Sequence, residues 1–291
     1  MTTITCCQFS PRLGEVEANV DESLERFGRA VDAGARIVVF PELTSSGYAF
    51  ADSAEAGAAA QSVDGYAVSR WKQADDEHNA IIVAGFCEAN EHGRPFNSAA
   101  LLVPGRDPVI YRKVHLWDAE RTVFTPGEAA PPVVETEHGR VSVVICYDLE
   151  FPEWIRSPAL RGADLICAPV NWPRTPRPAG ERPGEVVRVQ AQASMNRVSI
   201  AACDRTGVER DTHWTSASVI VDANGWPVAL ADLDRSAEEA VTADIELSES
   251  RNKRLSDFSD VFADRRTDLY SAPGDDAHRA VESETSEDPL R

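Results

Sequence analysis

Three ionisable side chains share one kind of placement in the sequence. Glu42 stands just past the apolar run "IVVF", Lys113 just past "VIY", and Cys146 just past "VSVVI". Reacting groups in α/β sheets gather outside the carboxyl ends of strands, so these runs can bring a carboxylate, an ammonium and a thiol to one edge. A thiol attacks as its thiolate, which a nearby ammonium favours and a carboxylate generates by taking the proton. Lys113, with the backbone N–H of Tyr147 as a second donor, would then hold the negative oxygen formed when a carbonyl or nitrile carbon is attacked. Glu42 would move protons from the thiol, to leaving ammonia and from water. Together these steps are acyl transfer to a cysteine and hydrolysis of the resulting thioester.

Each residue taken singly has a plainer reading. A cysteine in an apolar strand is commonly buried core, a reading that Cys6, Cys7, Cys87, Cys167 and Cys203 keep. The absence of a C-x-x-C pair points to reduced thiols in a cytoplasmic protein rather than to disulfides or structural zinc. His115, two residues past Lys113, raises a Cys–His hydrolase, but no cysteine-protease signature accompanies it, and a packed or hydrogen-bonded role is expected. The other histidines lack metal-ligand spacing and no Gly-rich phosphate loop occurs, so neither a metal nor a cofactor is expected.

The elements that must position these groups alternate short Val/Ile-rich runs with segments of helical period, as in a mixed α/β domain. "ITCCQF" opens as a strand; Val20, Leu24, Phe27 and Val31 then share a helical face that stops at Gly34. "RIVVFPEL", "AIIVAGFCE", "SAALLV", "PVIYRKVHL", "RVSVVICYDL", "ADLICAPV", "VSIAAC" and "AVTADIEL" read as further strands. Helices are expected around residues 66–74, from Pro152 to near Gly162, and over 185–196. Asn-Gly at 224–225 marks a hairpin tip. There is no fixed-period repeat, and one domain is expected over residues 1–271, followed by an acidic, disordered tail over 272–291.

Twenty-nine Lys and Arg against 48 Asp and Glu give a net charge of −19, which argues against a nucleic-acid partner. The N-terminus lacks the pattern of a signal peptide, and no apolar run reaches the length of a membrane span.

"FPEL" with Glu42, "YRKVHL" with Lys113 and "ICYDLEFPE" with Cys146, in that order, resemble the nitrilase superfamily of carbon–nitrogen hydrolases. "ERTVFTPG" from Glu120, "QAQASMNRV", "ACDRTGVE" and the arm "DVFADRRTDLY" extend the likeness from about Ile4 to Tyr270. The resemblance implies a four-layer α-β-β-α sandwich, a homodimer or larger homo-oligomer, and roles for Glu42 as general base, Lys113 as oxyanion stabiliser and Cys146 as nucleophile. Glu120 matches a second glutamate that orients the lysine. Tyr147 and Asp148 after the cysteine look more like the amidase branches than the true nitrilases, so small aliphatic amides are the expected substrates, ahead of nitriles and N-carbamoyl compounds. A non-catalytic binding protein on this fold is the remote alternative. Tyr48, Trp117, Tyr147, Asn171 and Trp172 are expected to wall the substrate pocket. Arg174, Arg177 and Arg182, in a Pro-rich loop, could grip a carboxylate but more simply offset the acidity. Cys146→Ala is expected to end turnover, and Lys113→Ala to lose most activity, each with the fold kept.

Overall fold

The computed structural model describes residues 1–270, so the expected acidic tail at 272–291 lies outside the described residues. Strand β1 (Thr2–Gln8) leads into helix α1 (Val16–Asp32), which buries Val20, Phe27 and Ala30. At its end Gly34, with φ +103°, lets Ala35 N–H reach back to the Ala30 carbonyl at 3.0 Å, closing the helix as a glycine stop does. Strand β2 (Ile37–Val39) ends before Pro41, which has no N–H for a further rung. Next come α2 (Ser53–Ala59), α3 (Tyr66–His78), β3 (Ile81–Glu88), β4 (Phe96–Leu102), β5 (Val109–Arg112) and α4 (Glu120–Val123). Helix α2 has no apolar period to announce it; its start is set by the Asp52 carboxylate, which accepts from Ala54 and Glu55 N–H at 2.9 Å.

The second half runs β6 (Val133–Thr136), β7 (Gly139–Val143), a 3₁₀ turn at Cys146–Glu150, α5 (Pro152–Leu160), β8 (Leu165–Pro169), α6 (Gly184–Asn196) and β9 (Ser199–Cys203). It closes with the short pair β10 (Val208–Glu209) and β11 (Thr212–His213), then β12 (Val219–Val221), β13 (Pro227–Leu230) and β14 (Glu239–Ile245).

Two six-stranded sheets result, ordered β14-β1-β2-β3-β4-β5 and β13-β12-β9-β8-β7-β6. Each has three parallel strands at its centre, β1-β2-β3 and β7-β8-β9, with antiparallel strands on both sides. The halves therefore repeat one plan that leaves no fixed period in the sequence, because their loops differ in length. The sheets face one another, β1 against β9 and both β2 and β3 against β8. Helices α1 and α3 cover the outside of the first sheet, with Trp71 and Phe27 buried against Ile82 and Phe86; α6 covers β9 and β12 of the second, with α5 packed against α6 and the 3₁₀ turn. This is the four-layer α-β-β-α sandwich. Covering both faces explains why β3, β8 and β9 are buried along their whole length and read as continuous apolar runs.

Two strands are shorter than expected. β5 stops at Arg112, so Lys113 and His115 lie on the loop beyond it, and β7 stops at Val143, short of Cys146. The chain divides into two compact units, Met1–Asn252 and the part from Lys253 on. In the second unit Arg254–Ser256 pairs antiparallel with Ser259–Asp260, and the Asp260 carboxylate accepts from Phe262 and Ala263 N–H at 2.8 and 2.9 Å. Among the described residues no helix is long and apolar enough to cross a membrane.

Candidate active site

Glu42 follows β2 by three residues and is 1% exposed. Its Oε1 accepts from Lys113 Nζ and from Asn97 Nδ2, each at 2.7 Å, while Oε2 has no hydrogen-bond partner among the described residues. The strand beside it makes room: a Cβ on Gly85 of β3 would stand 2.3 Å from Leu43 N and 2.8 Å from Glu42 Cα, so only glycine permits this approach. Lys113, also 1% exposed, gives a second bond of 2.7 Å to Glu120 Oε1. Glu120 is fixed in turn by Tyr48 Oη at 2.6 Å and by the backbone N–H of Trp117 at 2.9 Å. One ammonium thus serves two buried carboxylates.

The electrostatics follow from that count. Burial pushes the Glu42 carboxyl up, Lys113 pulls it down and Glu120 pushes it up again, leaving it at about 7. Burial alone would lower the Lys113 ammonium, but Glu120 and Glu42 outweigh it and the lysine is held above its ordinary range. Cys146 feels Glu42, Lys113 and Glu120; burial first, then Glu42, holds its thiol well above the usual value despite Lys113. At neutral pH it rests as a thiol and must hand over its proton as it attacks.

Cys146 opens the 3₁₀ turn with φ +44°, a left-handed backbone unusual for a residue with a Cβ. Asp148 holds that bend. Its Oδ2 accepts from Ile145 N–H at 3.0 Å and Tyr111 Oη at 2.6 Å, and its Oδ1 lies 2.7 Å from His115 Nδ1. His115 stacks on Phe151 with ring centroids 3.8 Å apart, the packed and hydrogen-bonded role expected of it. The Cys146 thiol donates to the Asn171 carbonyl at 3.8 Å, and Asn171 Nδ2 donates to the Glu42 carbonyl at 2.9 Å, which ties the thiol's strand end to that of the carboxylate.

Cys146 lines a cavity of about 160 Å³ together with Trp117, Tyr147, Asn171 and Trp172. Tyr48 lies apart from these four. It borders a neighbouring cavity of about 410 Å³ with Glu120 and Trp214, and Trp117 and Pro173 belong to both. Arg177 donates to the Leu233 carbonyl, Arg182 to Gln190, and Arg174 borders a different cavity, so none of the three lines the thiol's cavity.

Several supports were not singled out from the sequence, although Asp204, Arg205 and Glu209 lie in the "ACDRTGVE" motif. Asn97 is the second partner of the Glu42 carboxylate, and its backbone carbonyl also accepts from Lys113 N–H at 2.8 Å. Asp204 accepts from Trp172 N–H at 3.0 Å, and the buried Arg205 binds Glu209 at 2.8 Å and the Pro11 carbonyl at 2.9 Å. Glu209 then accepts from the backbone N–H groups of Tyr48 and Ala49 at 3.0 and 2.6 Å. Arg205 and Glu209 are four residues apart within "ACDRTGVE", but their partners Pro11, Tyr48 and Ala49 are distant in the chain, so those pairings could not be read from the residue types. Glu209→Gln leaves the Arg205 guanidinium buried without its counter-charge and loosens Tyr48. A loss of about 3 kcal/mol in urea unfolding and about tenfold in kcat is expected; unchanged kcat would show that Tyr48 does not depend on this anchor.

An α-β-β-α sandwich thus brings a carboxylate, an ammonium and a thiol together beyond its strand ends. Residues 3–254 match the carbon–nitrogen hydrolase family, and the chain belongs to it, as an enzyme acting on carbon–nitrogen bonds other than peptide bonds. A nitrilase of Pyrococcus abyssi is 32% identical over 273 residues, covering 93% of this chain and 99% of that one. The 2-oxoglutaramate amidase of Bacillus subtilis is 31% identical over 273 residues, covering 92% and 99%. Among solved structures, an amidase from Nesterenkonia sp. superposes with a TM-score of 0.74 at 24% identity, covering 96% of each chain, which shows the shared fold.

Proposed function

We propose that this enzyme hydrolyses small aliphatic amides to a carboxylic acid and ammonia through a thioester on Cys146. The observation that carries the reading is the Lys113 ammonium shared by Glu42 and Glu120 while the thiol, within reach of their charges, opens onto a small cavity walled by aromatic rings. Glu42, ionised and with Oε2 unpartnered, takes the thiol proton as sulfur bonds to the amide carbon. Lys113 and the Tyr147 N–H, in the first turn of the 3₁₀ segment where amides lack intrahelical acceptors, hold the developing oxyanion. Glu42 returns the proton to nitrogen, the C–N bond breaks and ammonia leaves. Water then attacks the thioester, giving its proton to Glu42, and the C–S bond breaks to free the acid and the thiol. Glu120 and Tyr48 keep Lys113 in place throughout.

Because Glu42 acts ionised, kcat/KM is expected to rise with pH up to about 7 and level off above it, the direction set by a base that is raised from the ordinary carboxylate range. An acid limb near 4.5 instead would remove Glu42, as it stands here, from that role. The likeness to the Pyrococcus abyssi nitrilase keeps a second reading, nitrile hydrolysis by the same residues through a thioimidate. Ammonia release from short-chain amides, their nitriles and N-carbamoyl amines decides the matter: turnover of amides supports the proposal, and turnover of either other class alone overturns it. In this reading the enzyme works in the cytoplasm as a homodimer or larger homo-oligomer, which cell fractionation and sedimentation velocity test.

A further inference from the structure

The thiol's cavity is not lined by apolar groups alone. Beyond the rings of Trp117, Tyr147 and Trp172 its wall holds Glu150, Glu185 and Arg188. Arg188 Nε lies 2.6 Å from Glu150 Oε1, and an Nη of the same guanidinium lies 3.2 Å from Glu185 Oε1. Both carboxylates are thereby served by one cation, which leaves a net charge of −1 on this wall. Glu185 Oε2 is buried with no hydrogen-bond partner among the described residues, a costly state for a carboxylate oxygen. Burial, partly opposed by Arg188 and reinforced by Glu185, holds the Glu150 carboxyl above its ordinary range, as expected where negative charge is in excess.

An arginine already engaged by two carboxylates is poorly placed to receive a third, so the wall disfavours an anionic substrate end. Aromatic faces with unneutralised carboxylate beside them are instead the chemistry that recognises an ammonium. We propose that the substrate carries a primary ammonium at the end remote from the scissile bond, bound by Glu185 and Glu150 across the cavity from Cys146. At roughly 30 Å³ for each water-sized group the cavity holds about five, so the chain between the two ends is short. The inference rests on the amidase reading only for its scissile bond.

Three ends of similar size test it: 5-aminopentanamide, hexanamide and 4-carbamoylbutanoate, with the same ends also carried on nitriles and N-carbamoyl amines. Which scissile group is cleaved judges the proposed function, and the ratio of kcat/KM between ends within the cleaved series judges this inference. The ammonium end is expected to exceed the neutral end by about tenfold or more, with the carboxylate end lowest. Glu185→Gln and Glu150→Gln should each shrink the ammonium-to-neutral ratio; as both substrates meet the same preparation, partial unfolding cancels. Equal rates, a preference for the carboxylate end, or an ammonium preference that survives in both variants would overturn the proposal. If no series turns over, calorimetric binding of pentylammonium and pentanoate to the Cys146→Ala protein makes the same comparison: tighter pentylammonium upholds the inference, and equal or weaker binding ends it.

Discussion

Cys146→Ala is expected to lower kcat by about 10⁵-fold or more while leaving the melting temperature within a few degrees of the wild type. In the proposed mechanism the loss follows from chemistry, since without sulfur no thioester forms and Glu42 has no nucleophile to activate. Stability is spared because the side chain makes few commitments: its thiol has one long contact to a carbonyl and otherwise borders the cavity. The measurement is single-turnover acyl transfer with mass detection of the adduct, beside a thermal melt. Turnover retained at more than a hundredth of the wild-type rate would reassign the nucleophile, and the other five thiols are poor replacements. All are buried, and burial pushes Cys7 and Cys87 up to about 12.

Lys113→Ala is the second large effect, and it should strike both activity and stability. Removing an oxyanion donor costs about a hundred- to a thousandfold in kcat. Sequence alone treats Lys113 as a strand-end lysine whose loss leaves the fold untouched, but the structure places it almost fully buried between two carboxylates. Its removal leaves Glu42 and Glu120 facing each other in low dielectric, at an expected cost of about 3–5 kcal/mol. The sign of the pH dependence is specific. With its cation gone, the Glu42 carboxyl is raised further, so the variant binds a proton more tightly folded than unfolded and becomes less stable as pH rises through and above the ordinary carboxylate range. Urea unfolding at several pH values checks this; a variant as stable as wild type at pH 8 would mean that water reaches the two carboxylates.

The three converging groups were legible because strand ends are written in the sequence: an apolar Val/Ile run followed by a charged or thiol residue is visible without knowing what faces it. Glu42, Lys113 and Cys146 each satisfy that pattern, although two of the three strands stop sooner than the apolar runs do. What could not be read was pairing over long separations. Glu42 and Asn97 are 55 residues apart and Glu209 and Tyr48 are 161 apart, and nothing local to any of them specifies the other. The hairpin at Asn224-Gly225 shows the same limit on a small scale. The turn was correctly placed, but only Gly225 takes positive φ and the loop closes from Asp222 to Trp226, so it is longer than a two-residue turn. Likewise the pocket's aromatic residues could be named from their positions, whereas Glu185 and Arg188, on a helix distant in sequence, declare their relation to Cys146 only once α6 is folded beside the 3₁₀ turn.

The left-handed bend at Cys146 has a bearing on how this protein changes under selection. A glycine adopts φ near +44° with none of the strain that a Cβ brings, so Cys146→Gly trades the proposed nucleophile for relief of about 1 kcal/mol. At this one position stability and activity pull in opposite directions. A library screened only for heat resistance or soluble yield would drift toward inert protein there, and any campaign to harden this scaffold needs a turnover assay in every round.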